Sequence, residues 1–268
     1  SYDNPNSFAK TYGKHREFLE LSKKQFKELI KFSKKIKIEL FATPFDVESV
    51  KFLESINVKC YKIASADLRN TILQKEIAKT KKPIFLSTGG GTLKDVERAV
   101  KNIMSINKNL SILHCTASYP CKIDDMNLNI IKTFLKKFPK NLIGISDHEN
   151  GIDAASIAYM LGARVFEKHF TLNRGDKGTD NSFSLEPQGL EKLIRNLRRI
   201  PKMMGSKEKK ILTSEKEPIR KMSKSIVAKK NIIKNQIIKK DDLTLKSPGG
   251  GLNPFELNKI IGKKAKKL

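Results

Sequence analysis

The chain has 268 residues, 38% of them hydrophobic and 31% charged, which is enough to bury the core of one large domain or two smaller ones. No run approaches the roughly 18 apolar residues of a membrane span, and the first residues lack the basic and apolar segments of a secretion signal. The net charge of +26 first suggests a nucleic-acid partner. The excess is mostly lysine spread along the chain, however, and only 7% of residues are aromatic, so nucleic-acid binding is disfavoured and a small anionic substrate fits better.

The three cysteines, Cys60, Cys115 and Cys121, lie in or beside apolar runs. An odd number of thiols cannot all pair within one chain, and unpaired cysteines in a core are typical of reducing compartments. We therefore expect reduced core thiols in a cytoplasmic protein.

From about Phe41 onward, short apolar runs rich in β-branched or aromatic residues alternate with segments of helical spacing. The runs predict strands at Glu39–Thr43, Cys60–Ala64, Ile84–Ser87, Leu110–Cys115, Leu142–Ser146 and Arg164–Phe170. The other segments predict helices at about 14–34, before the first strand, and at Asp46–Ile56, Leu73–Thr80, Leu93–Ile106, Asn127–Phe138 and Ala154–Leu161. Alternating strands and helices indicate an α/β fold with a parallel sheet.

Polar residues at the ends of these strands favour a TIM barrel over an open sheet. A complete barrel has eight strands in about 250 residues, whereas the pattern here supplies six strands in about 200 residues. We therefore expect a (β/α)8-type barrel that lacks its first two βα units. The gap should lie at the N-terminus, because the chain opens on a helix.

The composition changes after Gly205. We expect the partial barrel over residues 1–205, a charged linker over 206–222, and a small β-rich domain over 223–268. In the last of these, the sequence predicts a short strand at Ser225–Ala228. So small a module buries little surface alone, so it should dock on something.

A lysine lies inside the predicted strand Cys60–Ala64, in the motif Tyr61-Lys62-Ile63-Ala64-Ser65-Ala66-Asp67. A buried cation is costly unless it has an anionic partner. Lys62 therefore predicts an anion site at the mouth of the barrel. The alternative is a lysine that points outward on an exposed face.

A glycine-rich loop, Ser87-Thr88-Gly89-Gly90-Gly91-Thr92, follows one strand and precedes a helix. Thr92 is a good N-cap, with Asp95 three residues further on. Such glycines let backbone amides approach a phosphate. A plain turn has the same pattern, so the loop alone decides nothing.

Two histidines end neighbouring strands, in Ser146-Asp147-His148 and Glu167-Lys168-His169. Two imidazoles at adjacent strand tips can bind one metal ion, and a nearby carboxylate can orient them or complete the shell. Surroundings rich in oxygen favour Mn²⁺ or Mg²⁺ over structural zinc. Either histidine alone could be merely structural.

Further motifs complete a recognisable set: Thr43-Pro44-Phe45-Asp46, His114-Cys115-Thr116-Ala117-Ser118-Tyr119-Pro120, Gly162–Thr171 and Ser184-Leu185-Glu186-Pro187. Together with those above, they resemble the sialic acid synthase family, which comprises N-acetylneuraminate synthase and its relatives for legionaminic and pseudaminic acid. The resemblance covers nearly the whole chain. Residues 223–268 resemble the antifreeze-like (SAF) domain that follows the barrel in this family.

The resemblance implies condensation of phosphoenolpyruvate with an N-acetylated hexosamine, giving a nine-carbon 2-keto acid and phosphate. In the family, two histidines that match His148 and His169 hold a divalent metal, usually Mn²⁺, which polarises the aldehyde of the sugar. The positions that match residues binding phosphoenolpyruvate are Lys62, Ser65, Ser87 and Ser146. The remaining matches are an acidic proton-transfer residue at Asp67, sugar contacts at Tyr119 and Asp180, and the floor of the site at Thr43.

Two departures leave the acceptor sugar open. Ala117 stands where relatives often carry Ser or Asn, and Ser247 stands where many bacterial relatives place an Arg. The family's first two strands also carry substrate-binding residues that have no match here. From this we expect little synthase activity from this chain alone, and a domain-swapped homodimer as in the family. The alternatives are a legionaminic or pseudaminic acid synthase, a related sugar-phosphate synthase, and an inactive truncated homologue with a binding role.

Overall fold

A parallel sheet of five strands organises the larger part of the molecule. The computed structural model describes residues 3–266. The chain divides into two compact units, one up to Met204 and one from Gly205 onward, and each is described by itself. No helix of the described residues is both long and apolar enough to cross a membrane.

The five strands follow one another in the sheet in chain order, and each neighbouring pair is parallel. They are β1 (Tyr61–Ile63), β2 (Ile84–Ser87), β3 (Leu110–Cys115), β4 (Leu142–Asp147) and β5 (Val165–Lys168). The helices of this unit are α1 (Tyr12–Leu19), α2 (Lys23–Lys35), α3 (Val47–Ser55), α4 (Thr71–Lys79), α5 (Leu93–Met104), α6 (Ile130–Lys137), α7 (Asp153–Leu161) and α8 (Pro187–Met204). The α/β pattern predicted from the sequence is confirmed.

One face of the sheet packs against the helices. Ile63, Leu86, Ile112 and Ile143 lie in one row through the strand register, and each is at most 1% exposed. They belong to one apolar cluster with buried residues of helices α3 to α7. Burial of each such side chain contributes about 1.5–3 kcal/mol, so this row holds the helices to the sheet.

The first predicted strand, Glu39–Thr43, is not a strand in the structure. A single bridge joins Ala42 to Tyr61 of β1. A ladder needs successive backbone donors, and Pro44 has none. Phe41 is also 39% exposed, and its ring lies 5.6 Å from that of Phe85 in β2, so the segment packs on the sheet without a ladder of hydrogen bonds. The sheet therefore has five strands where the sequence predicted six.

The single helix predicted at about 14–34 is two helices, α1 and α2. Ser22 starts α2 as its N-cap, and its backbone N–H donates to the side chain of Gln25 at 2.8 Å while its own hydroxyl accepts from the Gln25 N–H. This capping box satisfies two orphan donors and so favours a new helix start. The last predicted strand is also shorter, because β5 ends at Lys168 and Phe170 bridges to Leu185 instead.

The smaller unit is built on an antiparallel pair, β6 (Ser225–Ala228) and β7 (Leu243–Lys246). Strand β6 has the bounds predicted from the sequence. Helix α9 (Lys216–Met222) lies within the segment predicted as a linker, and helix α10 (Leu257–Ile260) follows the glycine turn.

Candidate active site

Five polar side chains lie on the face of the sheet opposite the helix-packed row. Cys115, Ser146 and Glu167 are direct register partners across β3, β4 and β5, so they share a face. Ser87 pairs with Leu113, two residues before Cys115, and Lys62 pairs with Phe85, two residues before Ser87. Because side chains alternate along a strand, all five project from this face, which we call the site face.

Lys62 is buried on the site face and has an anionic partner. Its Nζ lies 3.3 Å from Oε1 of Glu167, and Lys62 is 8% exposed. The same Glu167 oxygen accepts a hydrogen bond of 2.7 Å from the hydroxyl of Ser146. The lysine therefore points inward, as an anion site requires, and not toward solvent.

Ser87 carries an unsatisfied hydroxyl. Among the buried side-chain nitrogen and oxygen atoms of residues 3–266, its Oγ alone has no hydrogen-bond partner, although the residue is only 1% exposed. A buried hydroxyl left unpaired costs about 1–3 kcal/mol. Such a group at the end of β2 indicates a place where a ligand oxygen would bind.

The backbone of the glycine loop after β2 packs closely against Ser65 and Ala117. The Gly89 N–H donates to Oγ of Ser65 at 3.0 Å. A Cβ at Gly89 would lie 2.9 Å from both that oxygen and Cβ of Ala117, so only glycine fits there. Gly90 has a φ of +68°, which also favours glycine. Ser65 thus braces the backbone beside the orphaned hydroxyl of Ser87.

The predicted capping box at the end of this loop is present. The Thr92 hydroxyl accepts from the Asp95 N–H at 3.3 Å, and the Asp95 carboxylate accepts from the Thr92 N–H at 3.0 Å. Arg69 reaches across and donates to Asp95 at 2.8 Å and to the Gly90 carbonyl at 3.2 Å. The Arg69 guanidinium, followed by the Thr92 donors, holds the pKa of Asp95 well below its usual range. These contacts fix the start of α5.

The two predicted histidines come together. The ring centroids of His148 and His169 are 5.1 Å apart, with the rings nearly perpendicular at 89°. Nδ1 of His148 lies 2.9 Å from the carbonyl oxygen of Thr116, and Nδ1 of His169 lies 3.4 Å from a carboxylate oxygen of Asp180. Because each Nδ1 faces an acceptor, it carries the proton, and the lone pair is left on Nε2.

The surroundings shift the pKa values of the two rings in opposite directions. Burial lowers the pKa of His169, and the Asp180 carboxylate only partly opposes this. Burial also acts to lower the pKa of His148, but its contacts with Cys115 and the Thr116 carbonyl outweigh it and raise the value. His169 is therefore the more readily neutral of the two rings.

The pair of imidazoles fits a divalent ion in an open site. No group of three or more His, Cys, Asp or Glu side chains positioned for a metal occurs in the described part of the chain. A closed structural zinc site, which needs four protein ligands, is thereby disfavoured. Two free Nε2 atoms beside a hydroxyl-rich face suit an ion whose remaining positions are left to water and substrate oxygens.

An aromatic wall stands beside the histidines. The ring centroid of Tyr119 lies 4.1 Å from that of His148, and the ring centroid of Phe183 lies 5.2 Å from that of His169. Tyr119 is 52% exposed, so its hydroxyl is accessible at the mouth. Burial raises the pKa of Tyr119, so this hydroxyl stays a neutral hydrogen-bonding group.

Asp67 and Thr43 are the remaining predicted site residues. Asp67 is half-buried in the turn after β1, where its carboxylate accepts from the side chain of Asn70 at 2.9 Å. Thr43 lines a separate cavity of about 330 Å³ with Arg16 and Phe45, among others. Nothing in the described residues connects Thr43 to the histidines, so its place on the floor of the site stays a prediction.

Comparison of the sequence with known protein families identifies the family of this chain. Residues 1–209 match the NeuB family, and residues 223–268 match the SAF domain. The chain belongs to the NeuB family. The resemblance to sialic acid synthases seen in the motifs is thereby confirmed.

Two relatives of this chain are named as synthases of legionaminic acid and sialic acid types. The chain is 41% identical to the N,N'-diacetyllegionaminic acid synthase of Campylobacter jejuni over 93% of its own length and 75% of the relative's. It is 36% identical to human N-acetylneuraminate-9-phosphate synthase over 98% of its length and 74% of the relative's. The chain therefore spans about three quarters of each of these relatives.

A solved NeuB-type structure confirms the fold. The N-acetylneuraminic acid (sialic acid) synthetase of Leptospira borgpetersenii, crystallised with citrate, superposes with a TM-score of 0.71 at 36% identity. The alignment covers 79% of this chain and 75% of that one. The five strands of this NeuB protein are thus a curled half-barrel of the TIM type, accompanied by a small SAF domain.

The sequence reasoning missed three charged residues at the ends of β4 and β5 in this NeuB protein. Glu167, the partner of Lys62, and the buried pair Asp147 and Lys168 all stand within the two histidine tripeptides. Glu167 precedes His169 by two residues, which is a signal that it shares the site face. Which charge it meets depends on how the sheet curls, and the tripeptide alone does not show this.

Proposed function

We propose that the chain condenses phosphoenolpyruvate with an N-acetylated hexosamine to give a nine-carbon 2-keto sugar acid and phosphate. The observation that carries this proposal is the site face, where a buried lysine and an orphaned serine hydroxyl adjoin a pair of histidines with free Nε2 atoms. Membership of a family of sialic acid synthase-type enzymes supports the reaction class.

The anionic co-substrate would bind on the site face. Lys62 supplies a fixed cation, and Ser87 supplies a donor whose partner must come from outside the protein. Ser146, now bonded to Glu167, and Ser65, which braces the glycine loop, complete the set. Donors that are held in place before binding lower the barrier, because they need no reorganisation as charge develops.

The acceptor would lie over the two imidazoles. Nε2 of His148 and Nε2 of His169 would hold a divalent ion, for which we propose Mn²⁺ with Mg²⁺ as the alternative. When bound, that ion supplies Lewis-acid polarisation of the aldehyde oxygen of the sugar. Asp180 orients the ring of His169, and Tyr119 presents its hydroxyl to the sugar from the open side.

The chemistry balances without a redox partner. The enol carbon of phosphoenolpyruvate forms a bond to the aldehyde carbon, whose oxygen takes a proton. Water then adds to the resulting cation at C2 and gives up a proton, which balances the one taken by the aldehyde oxygen, and the tetrahedral intermediate loses phosphate to leave the ketone. We assign the transfer of a proton in this sequence to Asp67, whose carboxylate accepts a hydrogen bond from Asn70 in the turn after β1.

The proposal is tested by supplying phosphoenolpyruvate, Mn²⁺ and a panel of acceptors, and measuring phosphate release together with the mass of the product. The panel should include N-acetylmannosamine, its 6-phosphate and diacetamido hexoses. A nine-carbon keto acid that requires both substrates supports the proposal. Absence of product with every acceptor, together with no saturable binding of phosphoenolpyruvate, would contradict it.

One further expectation stays a prediction. The homodimer implied by the resemblance is checked by sedimentation at micromolar concentration, where a clean monomer would count against it.

A further inference from the structure

The last residues of β4 and β5 form a buried ion pair on the side of the sheet away from the site. Asp147 and Lys168 are register partners. Oδ2 of Asp147 lies 2.7 Å from Nζ of Lys168, and the two side chains are 2% and 6% exposed. We call these two residues the strand-end ion pair.

A third residue ties the strand-end ion pair to the loop after β4. Nζ of Lys168 donates to the backbone carbonyl of Glu149. Oδ1 of Asp147 accepts from the backbone N–H of the same residue at 2.9 Å. The strand-end ion pair therefore holds the loop after His148 through both the backbone N–H and the backbone C=O of Glu149.

Each member of the strand-end ion pair stands directly before one of the two histidines. Asp147 precedes His148, and Lys168 precedes His169. On the opposite face, the bond from Ser146 to Glu167 joins the same two strands at 2.7 Å. The carboxyl ends of β4 and β5 are thus clamped from both faces at the point where the histidines leave the sheet.

Stability alone gives a weak reason for such a pair. Taking two charges out of water is costly, and replacing a buried ion pair by neutral groups of similar volume is often harmless. In some proteins a buried charged pair instead selects one defined geometry.

We propose that the strand-end ion pair sets the spacing between His148 and His169, so that Asp147 and Lys168 are positioning residues for the divalent ion. The inference rests on the metal role given under the proposed function, but the spacing itself is a property of the metal-free protein. The two can therefore fail independently.

The test uses the full chain and the double variant Asp147→Asn/Lys168→Met, which removes both charges and leaves no uncompensated one. The first readout is Mn²⁺ affinity, measured by electron paramagnetic resonance of the free ion. The second is the nuclear Overhauser effect between the ring protons of His148 and His169 in metal-free protein. The control is Lys82→Met, which breaks the ion pair of Lys82 with Glu54 far along the chain from the histidines.

We expect the double variant to melt close to the parent while its Mn²⁺ affinity falls about tenfold or more, the scale seen when residues supporting metal ligands are removed. The ring-to-ring signal should weaken in parallel. The single variant Lys168→Arg keeps the charge, so its Mn²⁺ affinity and its ring-to-ring signal should stay close to those of the parent. Lys82→Met should also leave both readouts unchanged.

Unchanged Mn²⁺ affinity and an unchanged ring-to-ring signal in the double variant would overturn the inference. If the parent protein itself binds no Mn²⁺, the metal role falls, and the ring-to-ring signal alone decides the spacing. If the double variant does not fold, Asp147→Glu lengthens the link by one methylene and carries the same two readouts, with the same outcomes for and against.

Discussion

Lys62 and Glu167 come from the first and the last strand of the sheet, yet their charged atoms lie 3.3 Å apart. Four steps of about 4.8 Å would place these strands about 19 Å apart in a flat sheet. The contact therefore requires the sheet to curl, as it does in a barrel. The curvature brings a cation and an anion from opposite edges to one point on the site face.

Replacing Lys62 by Met should weaken the binding of phosphoenolpyruvate. The change removes the buried cation of the site face, and a charged hydrogen-bond partner is worth about 1.5–3 kcal/mol, or about 10- to 150-fold in affinity. The dependence of phosphate release on phosphoenolpyruvate concentration measures this. Lys79→Met, at an exposed lysine paired with Glu76, is the matched control and should behave as the parent.

Replacing Ser87 by Ala should stabilise the free protein slightly or leave it unchanged while it weakens ligand binding. The hydroxyl has no partner in the structure, so its loss removes a desolvation cost. Urea unfolding gives the sign of the change. The neighbouring buried hydroxyl of Thr88 donates to the Leu113 carbonyl at 2.8 Å, so Thr88→Val should instead destabilise by about 1 kcal/mol. A destabilised Ser87→Ala would show that the hydroxyl has an internal partner.

Replacing His148 by Ala should abolish Mn²⁺ binding, and treatment with a chelator should abolish turnover. Only one imidazole would remain beside the site face, too few to hold an open-site ion. Titration calorimetry measures the loss. His114→Gln is the control, because His114 is buried and its Nε2 contacts the Met126 carbonyl at 2.6 Å rather than the histidine pair. Equal loss of binding in both variants would contradict the assignment.

The stability of the protein should fall as the pH drops below about 6.5, the value for an unperturbed histidine. Burial lowers the pKa of His114, with the Met126 carbonyl opposing. Below pH 6.5 His114 takes up a proton in the unfolded chain but stays neutral in the folded protein. The free energy of unfolding therefore decreases progressively as the pH falls. His169 contributes with the same sign. His148, whose pKa is raised, contributes with the opposite sign and offsets part of this loss. Urea midpoints across this range should show a smaller slope for His114→Gln than for the parent.

The sequence correctly predicted the strands that carry the core, and it wrongly predicted a further strand at Glu39–Thr43. The runs around Ile84, Ile112 and Ile143 are apolar and buried, so their composition reflects their environment. The run Glu39–Thr43 has similar composition but is followed by Pro44, and it makes a single bridge to the sheet instead of a ladder. The break at Ser22 was readable in principle, since a serine followed three residues later by Gln25 is a capping box.

Within the site, adjacency of strand ends was enough to predict that His148 and His169 would meet. What the sequence could not supply was curvature. The partner of Lys62 comes from the far edge of the sheet, and the orphaned hydroxyl of Ser87 is defined by the absence of neighbours. Both are products of the packed structure, and no local pattern encodes them.

The pairing of Lys62 with Glu167 also has a consequence for selectivity. With no ligand present, the lysine already has a counter-ion, and the carboxylate is secured by Ser146. A chloride or acetate ion would only replace the single negative charge of Glu167 beside Lys62 with another single negative charge. An enol phosphate brings both a carboxylate and a phosphate group, so we expect the pocket to remain closed to common monovalent anions and to open only for a ligand that carries several negative charges.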